Sequence, residues 1–201
     1  MDFQQLTDKI SEGMMKGIDL AVGHDVSSII ELVEAQKRLH PEIANDPSQL
    51  TDRIISKKNW YAAAISFVYG LGGILTLVPN IIHIWRVHGR LVLTVAYIYG
   101  YDLKSPERRE EIALCFALSS GNEGLKRILK EAGMVGIRKA LLTEAMKEVI
   151  KSLPRKIITI AGEKSLLNVA KLVPIFGGIV CGVMDFFSTK GIGAAAKQYY
   201  S

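Results

Sequence analysis

The sequence predicts an all-α protein: a single compact bundle of roughly eight helices with two apolar helical segments. Three observations point there. Apolar residues recur at three-to-four-residue spacing along most of the chain, the period of a helix face. Two-residue alternation is confined to short ambiguous patches such as Lys156–Ile160. Glycine, proline, serine, asparagine and aspartate interrupt the pattern at helix-length intervals, as helix starts and stops do. At 201 residues the chain can build one substantial core, so residues 1–201 are read as one domain with acidic N-terminal helices over 1–47.

The first helix spans residues 3–22, with Phe3, Leu6, Ile10, Met14, Ile18 and Ala21/Val22 on one stripe. Gly13, Gly17 and Ala21, four residues apart, form a small face that admits a close neighbouring helix. After Gly23, Asp25 is expected to cap a second helix carrying Ile29, Ile30, Leu32, Val33 and Leu39. The prolines at 41 and 47 make His40–Pro47 a loop, and Ser48 is the expected cap of a third helix. Gly70–Gly73 ends that helix, and Pro79 sits in the first turn of a fourth that runs to Tyr99 and stops at Gly100 and Asp102. Ser105-Pro106-Glu107 combines a cap hydroxyl, a first-turn proline and an acid against the helix dipole, a strong start signal. Further helices are expected from Asn122 to Gly133, over 134–152 and 155–171, from Pro174 to Phe187, and from Gly191 to Tyr200.

Trp60 to Trp85 runs for 26 residues without Asp, Glu, Lys or Arg, bounded by Lys57, Lys58 and Arg86. Length and aromatic flanks suit a bilayer, which needs about 20 apolar residues. Gly70, Gly72, Gly73, Pro79, Asn80 and His83 break the run, however, and lipid offers the freed backbone groups no partner. A helix–turn–helix packed in a bundle that meets the membrane peripherally satisfies those groups better. The second apolar segment, 172–187, is short for a span and carries Asp185 near its end.

Charge is unevenly spread. Residues 1–50 hold nine acids and four bases; the rest holds eleven acids and 21 bases, giving +5 overall. The excess gathers at Lys126, Arg127, Lys130, Arg138, Lys139, Lys147, Lys151, Arg155 and Lys156, a solvated face or a surface for anionic headgroups. No motif of nucleic-acid recognition accompanies it, so no nucleic-acid partner is expected. Cys115 and Cys181 lie in apolar runs and read as buried thiols in a reducing compartment. The first residues lack a signal-peptide pattern, so a cytoplasmic protein is expected.

Patterns of catalysis fail one by one. In Gly162-Glu163-Lys164-Ser165, Glu163 replaces the glycine that a phosphate loop requires. His24, His40, His83 and His88 form no metal spacing, neither cysteine has a histidine at a family-typical spacing, and no Gly-x-Ser-x-Gly elbow exists. No enzyme activity, cofactor or metal is expected. One constellation survives: Asn80, His83, Arg90, Thr94, Tyr97 and Tyr101 lie within roughly a 100° arc of the fourth helix. The stripe is either the wet face of an amphipathic helix or an inward polar face. In the second case Arg90 and His83 hold an anionic headgroup or pair with Asp185, and Asn80, Thr94 and Tyr97 complete a ligand site. His88, off the stripe, reads as an ordinary packed or hydrogen-bonded histidine.

The order of motifs is informative. Gly70-Leu71-Gly72-Gly73 leads to Leu77-Val78-Pro79 and a long helix ending in Ala96-Tyr97-Ile98-Tyr99-Gly100-Tyr101-Asp102. A second Leu-Val-Pro, at Leu172–Pro174, opens a segment with Gly177, Gly178 and Asp185. Over roughly residues 50–200 the chain resembles the EcsC family, bacterial helical proteins named for a member encoded beside an ABC transporter. The resemblance implies a bacterial, mostly helical, membrane-associated protein and no particular reaction. It marks Gly72, Gly73, Pro79, Tyr99, Gly100, Asp102, Pro174, Gly177, Gly178 and Asp185 as motif positions, most of them architectural in reading. Two functions are therefore expected. The first is a non-enzymatic protein docked on the inner face of the cytoplasmic membrane, with Tyr199 and Tyr200 at the lipid interface and room for a membrane-protein partner. The second is a soluble bundle binding a lipid-like ligand in an interhelical pocket.

Overall fold

The computed structural model describes residues 3–71, 77–119 and 188–201. Within them lie α1 (Phe3–His24), α2 (Val26–Leu39), α3 (Pro47–Leu71), α4 (Leu77–Ile98), α5 (Arg108–Ser119) and a helix over 188–200, here α6. The described residues contain no strand, so the all-α class stands, while the count of roughly eight helices is not reached among them. The expected helices between Asn122 and Phe187, the basic run 126–156, Cys181 and the second apolar segment all lie outside the described residues.

α4 is the axis, packed against α1, α2, α3 and α5. Its residues 91–96 are buried all the way round the helix, Thr94 included, so no wet face exists there. α1 presents Met14, Ile18 and Ala21 to this axis, at helix-face spacing. α2 buries Ile29, Val33 and Gln36. From α3 come Leu50, Ile54 and Ile55; from α5 come Ile112, Leu114, Cys115 and Phe116; and from α6 Ile192 and Ala196. Each fully buried leucine or isoleucine contributes about 1.5–3 kcal/mol, and a Leu91→Ala change would cost about 2–5 kcal/mol. The ring of Phe116 stacks on Trp85 with centroids 3.8 Å apart and planes at 16°.

The small face of α1 explains how close α1 and α4 come. A Cβ on Gly17 would lie 2.6 Å from Trp85 Cβ and 2.7 Å from the Ile82 carbonyl oxygen. Gly89 of α4 answers from the other side: a Cβ there would lie 3.0 Å from Ala21 Cβ. The α3–α4 hairpin forms as the glycines and Pro79 predict, with the connection 72–76, and so Gly72 and Gly73, outside the described residues. Among the described residues no helix is long and apolar enough to cross a membrane.

The Tyr-Gly-Tyr-Asp motif is a helix stop built on positive φ. Gly100 has φ +85°, the Gly100 N–H donates to Tyr97 O, and the Tyr101 N–H donates to Ala96 O at 2.9 Å. That pair of bonds is the Schellman pattern, which satisfies the last carbonyls of α4. Asp102 then accepts from the Lys104 N–H at 3.0 Å. Ser105 Oγ accepts from the Glu107 N–H, and α5 starts at Arg108.

Behind this turn is a buried polar cluster. Glu111, with no exposed surface, pairs with Arg108 and accepts hydroxyl hydrogen bonds from Tyr199 at 3.2 Å and Tyr200 at 2.6 Å. Arg108 also donates to Asp102 O at 2.9 Å and lies over the rings of Tyr101 and Tyr200. The interfacial role expected for Tyr199 and Tyr200 is therefore corrected. Both rings are buried, because an interior carboxylate needs donors and the tyrosine hydroxyls supply them.

Two caps also differ from expectation. Asp46, not Ser48, caps α3, through a hydrogen bond from the Gln49 N–H at 3.0 Å. Asp25 occupies the N-cap position of α2 but makes no side-chain cap bond, because its carboxylate is engaged elsewhere.

Candidate functional site

Asp25 sits where α1 gives way to α2, and its side chain is only 4% exposed. Burial opposes its ionisation. The hydrogen bond from Arg86 and the charges of Arg90 and Arg86 outweigh that cost and hold the carboxyl below its ordinary range. Arg86 is bidentate, donating Nε–H to Oδ2 at 2.9 Å and Nη2–H to Oδ1 at 2.7 Å. Arg90, one turn further along α4, donates Nη1–H to the same Oδ1 at 3.1 Å. One interior carboxylate thus orients two guanidinium groups.

Those guanidiniums line a cavity of about 350 Å³ between α2, α3 and α4. Leu32, Gln36, Ile54 and Val87 form its walls, Lys57, Lys58 and Tyr61 come from α3, and His83 completes it from α4. Among the described residues lining it there is no aspartate or glutamate. Burial, then the charges of Arg90 and Lys57, push the Lys58 ammonium below its ordinary pKa. Burial, then Arg86, does the same to His83. Among the described residues, cations crowd the cavity more than the single carboxylate of Asp25 can offset. Chemically the arrangement can hold an anion, with apolar surface beside it for attached carbon.

Of the residues expected to bind ligand, His83 and Arg90 meet in this cavity. Thr94 does not line it; its hydroxyl donates to the Arg90 carbonyl at 2.6 Å. Tyr97 donates to Glu34 Oε1 at 3.4 Å, with Lys37 above its ring. Asn80 lies in the first turns of α4, and the structure describes no side chain for it. The partner of Arg90 is Asp25; Asp185, the acid expected there, lies outside the described residues, as do Pro174, Gly177 and Gly178.

Arg86, Lys57 and Lys58 were legible only as the flanks of an apolar run. A signal for Arg86 was present, since 83, 86, 87 and 90 follow helix-face spacing. His88 is buried and shares a 2.8 Å hydrogen bond with Thr189 Oγ1 of α6, an ordinary packed histidine. Cys115 is a buried reduced thiol whose pKa burial pushes up, which makes it a poor nucleophile.

Two exposed aromatics follow on α3, and of these Tyr61 lines the cavity. Trp60 is 70% exposed and Tyr61 50%, directly after Lys57 and Lys58 on α3. A helical bundle with a cationic interhelical cavity, and exposed aromatics on the helix that bears its lysines, is the class of protein that the fold and site define. The model of the EcsC protein family matches residues 4–201, and the chain belongs to that family. The match takes in the acidic N-terminal helices, which carry Asp25. No curated protein and no solved structure matches the chain.

Proposed function

We propose that this protein is a non-enzymatic, peripheral membrane protein that docks on the anionic cytoplasmic face of the bacterial membrane through the α3–α4 hairpin. The observation that carries the reading lies on α3: Trp60 and Tyr61 are exposed within one turn of Lys57 and Lys58, and Tyr61 and both lysines line the cavity with Arg86 and Arg90. Tryptophan and tyrosine favour the headgroup level, and each lysine near an anionic surface adds about 1 kcal/mol. The absence of a spanning helix among the described residues fits attachment at the surface.

A second reading draws on the cavity itself. Its apolar walls at Leu32, Ile54 and Val87 would suit a lipid-like ligand carried by a soluble bundle.

Co-sedimentation with vesicles separates the two. Docking requires binding to phosphatidylcholine–phosphatidylglycerol vesicles at low salt, loss at high salt, and a drop of about tenfold in Trp60→Ala/Tyr61→Ala. Protein that ignores such vesicles yet carries a stoichiometric lipid in native mass spectrometry would refute docking and favour the carrier.

A further inference from the structure

The cavity between α2, α3 and α4 has more to say than that it is basic. Arg86, Arg90, Lys57 and Lys58 bring four positive charges to it, and Asp25 behind the two arginines brings one negative charge. Arg86 spends Nε–H and one Nη2–H on Asp25, and Arg90 spends one Nη1–H. A guanidinium has five N–H donors, so both keep donors for a further acceptor. Asp25 therefore aligns the arginines without exhausting them, as a carboxylate behind a ligand site does.

Among the described residues this leaves an excess of three positive charges, which selects among anions. A carboxylate or a phosphodiester brings one negative charge and leaves most of the excess unmet. A phosphomonoester brings about −1.5 to −2 and three strong acceptor oxygens. Arginine forks match phosphate geometry, and lysine adds point charges from the facing helix. Leu32, Ile54 and Val87 leave apolar wall for the carbon that a phosphomonoester carries.

We infer that the Asp25-backed cavity is a phosphomonoester site, in which Arg86 and Arg90 grip the phosphate and Lys57 and Lys58 close over it. The inference concerns the chemistry held in the cavity and does not require that the protein dock on membranes. The phosphate can belong to a lipid headgroup or to a small soluble molecule, and the test distinguishes these.

Glycerol 3-phosphate is titrated into isotopically labelled full-length protein, following arginine and lysine side-chain NMR signals. In parallel, binding is compared on phosphatidic acid and phosphatidylglycerol vesicles matched in surface charge density. Lys57→Gln/Lys58→Gln is the main variant, because neither lysine pairs with Asp25 and the fold should survive. The expected result is saturable binding of glycerol 3-phosphate, weakened about fivefold per lysine removed. A preference for phosphatidic acid over charge-matched phosphatidylglycerol assigns the phosphate to a lipid. Saturable glycerol 3-phosphate binding without that preference assigns it to a soluble compound. Equal binding to both vesicle types with no glycerol 3-phosphate binding overturns the inference while leaving membrane docking intact. Binding unchanged in Lys57→Gln/Lys58→Gln also overturns it.

Discussion

A Gly17→Ala substitution would place a methyl group 2.6 Å from Trp85 Cβ and 2.7 Å from the Ile82 carbonyl oxygen. Carbon atoms in contact normally stand about 3.5–4.0 Å apart, so α1 must withdraw from α4 by about 1 Å. Neither obstacle can swing aside: one is the first side-chain carbon of a buried tryptophan and the other is backbone. Overpacking of this kind costs about 1–3 kcal/mol, and the better helix propensity of alanine offsets up to about 1 kcal/mol of that. Because both obstacles are rigid, the overpacking cost lies in the upper half of that range, and the net loss should be about 1–2 kcal/mol. For a chain of this length that lowers Tm by about 2–8 °C.

The displacement also reaches the site, because the Arg86 N–H group lies 3.0 Å from the new methyl and Asp25 follows two turns later on α1's side. Thermal and urea unfolding followed by circular dichroism would measure the loss. Gly23→Ala is the control: beyond its chain neighbours and its own helix backbone nothing lies within 4 Å of its Cβ position, so stability should hold or rise slightly. A Gly17→Ala protein as stable as the parent would refute the close crossing of α1 and α4.

Three further outcomes follow from the buried polar groups. Asp25→Asn leaves Arg86 and Arg90 without their counter-charge and should cost about 1–3 kcal/mol, a range reduced because Arg86 is partly exposed. Added glycerol 3-phosphate should recover part of that loss, and an unchanged denaturation midpoint would contradict the role given to Asp25. Burial pushes the His88 pKa down to about 3, so between there and about 6.5 the unfolded chain binds a proton that the folded one does not. Stability is then fully present above pH 6.5 and falls by about 1.4 kcal/mol per pH unit on acidification. About 2 kcal/mol is gone by pH 5, and His88→Gln should flatten that slope; parallel slopes would sink the assignment. Tyr200→Phe removes the 2.6 Å bond to Glu111 and should cost about 1.5–3 kcal/mol in urea unfolding, more than Tyr199→Phe, whose bond is 3.2 Å. Equal, negligible losses would contradict the cluster.

Local signals carried the fold well. The stop at Gly100 and the small face of Gly17 and Ala21 depend on neighbours in the chain or on one helix face, and each was legible; the start signal at Ser105 was legible too, but α5 itself begins three residues later, at Arg108. Asp25 was not, because its spacing fits a cap and its true partners lie 61 and 65 residues away. Tyr199 and Tyr200 misled for a similar reason. A pair of tyrosines on an amphipathic helix suits a lipid interface until a buried carboxylate on another helix claims both hydroxyls. The site was half legible: His83 and Arg90 share an arc that sequence alone reveals, whereas Lys57 and Lys58 join them only through the hairpin.

The Glu111–Tyr200 bond spans 89 residues of chain. Ribosomes add about 5–20 residues per second, so roughly 5–20 seconds separate the synthesis of the acceptor from that of its donor. During that interval Glu111 can be hydrated or paired with Arg108, but its native burial lacks the tyrosine hydroxyls. The Asp25–Arg86 clasp, 61 residues long, can close earlier in the nascent chain. Birth order on the ribosome therefore favours assembly of the cavity between α2, α3 and α4 before α5 locks in place, while the Glu111–Tyr200 bond is still being made.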